Sequence, residues 1–277
     1  MLLRFIRWAS YVVILGLASG CTQDAAQLLQ SAKELEAKGD RVAAILNLKN
    51  ALQQDPNDGV MRYMLGRLYN DTFNPVAAEK EFLKARKLGV VEEGRVEVAL
   101  ARALRAQGKF EELLEKVSVS PSFEVAAQAS VLALRGRAQH ALRLNAEAQT
   151  SFEEAAKTQA DNLDVALLEA QIVSGQGDFD RALTILDGII AKSPDHYDGW
   201  SYKAEILRAL GRNDEAVTAY EHVLQLNPFS LPALLQHSAL LIRKGDREAA
   251  WKDVAVLRRV YKDLPDGLVR QGMLQLV

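Results

Sequence analysis

Cysteine occurs once in the 277-residue chain, at Cys21. A single thiol can make neither an internal disulfide nor a cysteine-based metal site, so packing has to hold the fold. Aromatic residues are scarce, at 6%, while alanine and leucine are abundant. That composition disfavours sheets and suits helices. No excess of positive charge is present: 34 Lys and Arg face 36 Asp and Glu, a formal net charge of −2. General nucleic-acid binding needs many uncompensated cations, so no nucleic acid is expected as a partner. Catalytic patterns are missing as well. His140, His196, His222 and His237 never pair at metal-ligand spacing, and there is no His-Glu-x-x-His, no Gly-x-Ser-x-Gly and no phosphate-binding glycine loop. The expectation is a non-enzyme without metal or cofactor. What the chain does contain is 49% hydrophobic and 25% charged residues, the proportions of a folded protein with a core.

The first twenty residues read as a secretory signal. Arg4 and Arg7 precede an apolar run over 9–17, too short for an ordinary spanning helix. Small residues follow in Leu17-Ala18-Ser19-Gly20, and then comes Cys21. This arrangement resembles a bacterial lipobox, with Ala18 where leucine is usual. The resemblance implies cleavage after residue 20 and lipid on Cys21, with residues 21–24 as a tether. Several acyl chains on one residue anchor a protein stably where one does not. Thr22 follows the cysteine instead of the aspartate that retains such proteins in the inner membrane. The implied address is therefore the periplasmic face of the outer membrane of a Gram-negative bacterium.

From residue 25 onward the sequence repeats. Trp200-x3-Ala204-x2-Leu207, Gly211, Ala216-x3-Tyr220 and Pro228 recur one unit earlier as Ala166-x3-Ala170, Gly177, Ala182-x3-Leu186 and Pro194. One unit later the same frame gives Leu234, Leu241, Gly245 and Ala250. The period is about 34 residues and resembles the tetratricopeptide repeat (TPR). Units begin at 25, 59, 94, 129, 163, 197 and 231, with one extra residue on either side of the third. The predicted fold is all-α: seven antiparallel helix pairs over 25–264, wound as a right-handed TPR solenoid. Gly-Asp or Gly-Lys turns at Gly39, Gly108, Gly177 and Gly245 join the two helices of a unit. Small residues such as Ala44, Ala78, Ala148, Ala182, Ala216 and Ala250 let those helices approach, and Phe82, Phe152 and Tyr220 fill the space between units.

The third unit is degenerate. Leu113 replaces the small residue, and Ser118-Val119-Ser120-Pro121 predicts a shortened second helix with an irregular connection over 118–124. Residues 265–277 supply one lone helix. A cap should present a polar outer face, yet Met273, Leu274, Leu276 and Val277 are apolar. The expectation is therefore a cap or, favoured by that apolar face, the truncated eighth unit of a longer array.

In such arrays the first helix of each unit lines the concave face. The position after its small residue reads Lys33, Arg67, Arg102, Arg137, Gln171, Glu205 and Ala239. Three residues on, the sequence reads Glu36, Asn70, Arg105, His140, Ser174, Arg208 and Ile242. The candidate ligand groove is Lys33, Arg67, Asn70, Arg102, Arg105, Arg137 and His140. A concave cationic ladder focuses its field and attracts anions, which points to an acidic protein segment or an anionic polysaccharide. The alternative is a set of ordinary surface arginines neutralised by nearby Glu and Asp, with Glu36, Glu97 and Glu169 as candidates. The carboxylate-clamp pattern that binds chaperone tails is not matched.

The stretch from Lys38-Gly39-Asp40-Arg41 through Lys49-Asn50-Ala51-Leu52 to Asp55-Pro56-Asn57-Asp58, then Leu65-Gly66-Arg67-Leu68-Tyr69, Ala77-Ala78-Glu79-Lys80-Glu81-Phe82 and Gln107-Gly108-Lys109-Phe110, resembles the TPR lipoprotein of the PEP-CTERM/exosortase system. The resemblance covers roughly the first 125 residues, and beyond them the likeness is to TPR sequences in general. It implies a membrane-anchored scaffold for protein partners in exosortase-dependent sorting and exopolysaccharide production. It carries no catalytic residues. An assembly or chaperone lipoprotein for outer-membrane proteins, and a module that binds an anionic glycan directly, are the other expectations.

Overall fold

A computed structural model describes residues 24–89 and 91–261. The residues around Cys21 and those at 265–277 lie outside the described part. Among the described residues there are fourteen helices and no strand, and the chain divides after Asn57 into two compact units.

The first unit is one helix pair, α1 (Ala25–Ala37) and α2 (Arg41–Gln54). Asp24 opens α1 with a reciprocal cap: its Oδ1 accepts from the Gln27 backbone N–H at 2.8 Å, and Gln27 Oε1 accepts from the Asp24 N–H. Asp40 opens α2 by accepting from the Ala43 N–H at 3.0 Å. Gly39 makes the turn between them at φ +81°, a conformation that costs glycine little. Leu28 and Ala32 on α1 and Ala44, Leu48, Ala51 and Leu52 on α2 are buried.

The second unit holds six pairs: α3 (Gly59–Asp71) with α4 (Pro75–Leu88), α5 (Glu93–Ala106) with α6 (Phe110–Lys116), α7 (Val125–Ala141) with α8 (Asn145–Gln159), α9 (Leu163–Gly175) with α10 (Phe179–Lys192), α11 (Tyr197–Ala209) with α12 (Asn213–Leu226), and α13 (Leu231–Lys244) with α14 (Arg247–Val260). The small residues Ala78, Ala148, Ala182, Ala216 and Ala250 are wholly buried where each second helix meets its first. Phe82 is buried against Gly66: a Cβ placed on that glycine would lie 2.7 Å from the ring. Burying such a ring contributes about 2–3 kcal/mol. Apolar clusters run along the array in sequence order, one joining residues of α4 to α7, one joining α7 to α9, and one joining α9 to α14. A solenoid stabilises itself in this way, each repeat packing on its neighbours.

The pair α5–α6 departs from the rest because α6 has only seven residues and ends at Lys116. Arginines from both flanking pairs satisfy its last carbonyls. Arg86 on α4 donates to the Lys116 carbonyl at 2.8 Å, and Arg135 on α7 donates to the Leu114 carbonyl at 2.8 Å and to that of Val117. The connection to α7 is held by Gln128, whose Nε2 donates to the Phe123 carbonyl at 2.6 Å.

Candidate functional site

Within the second unit, the first helices of four successive pairs, α5, α7, α9 and α11, carry ion-paired residues that meet across one face. Arg102 and Arg105 lie one turn apart on α5, and Arg137 lies on α7. Their partners are two aspartates in the first turns of later helices, Asp164 on α9 and Asp198 on α11. Both carboxylates follow a capping residue. Asn162 Oδ1 accepts from the Asp164 N–H at 2.8 Å, and His196 Nδ1 accepts from the Gly199 N–H at 3.0 Å. A carboxylate in the first helical turn also sits in the favourable end of the helix dipole.

Arg102 Nη2 donates to Asp164 Oδ2 at 2.8 Å, and Arg105 Nη2 donates to Asp198 Oδ2 at 2.5 Å. Arg137 reaches the same Asp198 oxygen at 3.1 Å and donates through Nε to Gln171 Oε1 at 3.2 Å. The Arg137 side chain is almost fully buried, while half of the Arg102 side chain is exposed beside a buried Asp164. The three arginines and two aspartates therefore form two ion-paired sets, Arg102 with Asp164 and Arg105 and Arg137 with Asp198, which feel one another's charge across the face.

The electrostatics follow from this geometry. Burial alone would raise the Asp198 carboxyl, but Arg105 and Arg137 outweigh it and hold the group far below the carboxylate range. Asp164 behaves likewise: burial is overcome by Arg102, by a hydrogen bond from Ser130 and by Arg137. Asp164 in turn raises the pKa of Arg102. Burial, and then the like charge of Arg105, push Arg137 down to about 10.

The structure thus gathers three of the residues singled out in the sequence, Arg102, Arg105 and Arg137, and pairs them with carboxylates. Asn70 on α3 is not among these pairs; it donates to the Ala99 carbonyl of α5 at 3.4 Å, one turn before Arg102. Arg67 is exposed on α3. His140 is half-buried on α7, one turn after Arg137, and burial lowers its pKa. Lys33 is exposed on α1, in the other unit. Cys21 lies outside the described residues. Two of the glutamates named as neutralising the ladder pair with other arginines, Glu97 with Arg86 and Glu169 with Arg181, and aspartates neutralise it instead.

Asp164 and Asp198 were absent from the sequence-based site, although a signal for them exists. They occupy the same register in successive repeats, each two residues after its cap. A ladder of carboxylates could have been read beside the ladder of cations. His196 and the aromatic pair Phe73–Tyr197, with ring centroids 5.0 Å apart, complete the surroundings of Asp198. Among the described residues no group of His, Cys, Asp and Glu is placed to hold a metal, and no helix is long and apolar enough to cross a membrane.

Residues 167–230 match the family described as tetratricopeptide repeat. No curated protein matches the chain. Among solved structures it is similar to a tetratricopeptide repeat protein from Parabacteroides merdae, at 16% identity and a TM-score of 0.54, covering 91% of this chain and 98% of that one. It is also similar to the APC/C hetero-tetramer Cut9-Hcn1, at 12% identity and a TM-score of 0.57, covering 87% of this chain and 48% of that one. At such low identity the likeness establishes the fold, an all-α array of tetratricopeptide repeats.

Proposed function

We propose that this tetratricopeptide-repeat chain is a scaffold that binds a protein partner along the face formed by α5, α7, α9 and α11, and that lipid on Cys21 holds it at the cell envelope. The observation that carries the reading is the convergence of Arg102, Arg105 and Arg137 from two helices onto one polar face of the repeat array. Repeat arrays offer extended surfaces of this kind to partners, and arginine is the cation best suited to recognising carboxylates. The envelope address rests on the lipobox-like run ending at Cys21. The proposed pathway, exopolysaccharide export and PEP-CTERM protein sorting at the outer membrane, is supported by the resemblance of the first 125 residues to the exosortase-system lipoprotein.

The test has two arms. The native protein is extracted from isolated membranes, and its mass is compared with that of a Cys21→Ser variant. An acylated chain beginning at Cys21, and release of the variant from the membrane, support the anchor; an unmodified native chain refutes it. Partners are then captured by cross-linking in cells. Capture of sorting or polymer-export proteins, lost on Arg102→Glu with Arg105→Glu, supports the scaffold. Capture of unfolded outer-membrane proteins instead would replace it with an assembly chaperone.

A further inference from the structure

The ion pairs of the polar face do not join neighbouring repeats. Arg102 and Asp164 are 62 residues apart, Arg137 and Asp198 are 61 apart, and Arg105 and Asp198 are 93 apart. Arg105 on α5 reaches α11 past the two intervening first helices, α7 and α9. Packing in a solenoid is between neighbours, and the apolar clusters here obey that rule. Neighbour packing alone therefore does not account for these pairs, which cross the polar face over two and three repeats. What the carboxylates do is sit on the guanidiniums of the binding face.

The two aspartates also present their carboxylates as an acidic peptide would. Each projects singly from a helix start, each meets its arginine end-on through Nη2, and the two recur at the repeat spacing. Half of the Arg102 side chain is exposed, so a second group can approach it. Three arginines meet two aspartates here, with the Glu205 carboxylate close enough to be repelled by Asp198, so the pull on a further carboxylate is at the Arg102 end of the face. The first turn of α11 is held a second time, by Phe73 from the α3–α4 turn, whose ring packs at a tilt of 55° against Tyr197. An incoming segment thus meets a site already filled by the chain itself, and an intramolecular ligand competes at high effective concentration.

We infer that Asp164 and Asp198 are autoinhibitory occupants of an acidic-segment site built from Arg102, Arg105 and Arg137, a site that a partner peptide bearing several carboxylates fills by displacing them. The inference rests on the reading that a partner binds this face. It adds that affinity is set by competition between carboxylates.

The probe is a fluorescein-labelled decaglutamate peptide, titrated by anisotropy against the full chain in detergent at low salt. Asp164→Asn is the first variant, because it leaves the buried Arg137–Asp198 pair intact. It should tighten binding by about tenfold or more over wild type, and adding Arg102→Gln should remove the gain. The gain should also fall with salt. A variant with unchanged circular dichroism and no tightening overturns the inference, as does a gain that survives Arg102→Gln. Asp198→Asn, with and without Arg105→Gln, is the second pair, read the same way if Asp164→Asn does not fold. Tightening toward oligogalacturonate but not decaglutamate also overturns it, in favour of a glycan. Loss of cellular cross-linking with a wild-type response to decaglutamate would instead refute the scaffold reading.

Discussion

Arg105 and Asp198 are 93 residues apart in the chain and 2.5 Å apart in space. Arg137, almost fully buried, shares the same carboxylate oxygen at 3.1 Å. Replacing Asp198 by alanine would leave two guanidiniums facing each other, one of them cut off from water. Removing one partner of a buried pair costs about 3–5 kcal/mol, and the Asp198 side chain is one-fifth exposed, which puts the expected loss near the lower end. Urea denaturation of Asp198→Ala should show it as a shifted midpoint. Asp214→Ala removes the exposed partner of Lys244 and should leave the midpoint where it was.

Protonation acts on the same turn. His196 caps α11 through Nδ1, an acceptor that protonation turns into a donor. Burial lowers its pKa from 6.5, although Asp198 pulls the other way, and burial lowers that of His140 too. As the pH falls below 6.5 the unfolded chain therefore takes up protons that the folded chain refuses, and stability declines. Asp164 and Asp198 are depressed carboxylates, so their contribution is whole above the unfolded value of 3.8 and is lost as the pH falls below it toward their folded values. Denaturation midpoints measured from pH 7 to pH 3 should fall gently at first and steeply below about 4. His196→Asn retains a cap acceptor and should flatten the upper part of the curve while leaving the lower part.

The repeat frame was legible because it depends on local rules. Gly39, Gly108, Gly177 and Gly245, read as turns, all adopt positive φ. Ala78, Ala148, Ala182, Ala216 and Ala250, read as helix contacts, are wholly buried. Phe73 and Arg143 make the same left-handed turn in their repeats without glycine, at φ +56° and +62°, and nothing in their residue type announced it. The ionic cluster was half legible. Periodicity placed Arg102, Arg105 and Arg137 on one face, but their partners lie two and three repeats later. Which later helix a long side chain reaches depends on how the pairs stack, and that is a sum of small rotations between repeats rather than a motif. The cations were found and the carboxylates that meet them were not.

The short helix α6 makes a separate prediction. Its last carbonyls rely on Arg86 and Arg135, which reach in from the neighbouring pairs. A hydrogen bond from a charged donor contributes about 1.5–3 kcal/mol. Arg135→Ala deletes two such bonds, whereas Arg86→Ala deletes one and also strips the buried Glu97 of its cation, so Arg86→Ala should cost at least as much. The local signature is faster proteolysis within 118–124, where the chain leaves α6, read as cleavage rate under native conditions.

Three helical glycines should respond in opposite directions to the same substitution. A Cβ on Gly66 would lie 2.7 Å from the ring of Phe82, which is wholly buried and has no room to retreat. A Cβ on Gly136 would lie 2.5 Å from Leu168 Cδ2, also in the core. Overpacking of this kind costs about 1–3 kcal/mol, partly offset by the better helix propensity of alanine. Gly188, within α10, has nothing within 4 Å of its would-be Cβ. There only propensity acts, and Gly188→Ala should stabilise the chain by about 0.5–1 kcal/mol. Thermal melts of the three variants should therefore fall on both sides of wild type. A lowered midpoint for Gly188→Ala would mean that α10 meets a contact on that face which the present packing does not contain.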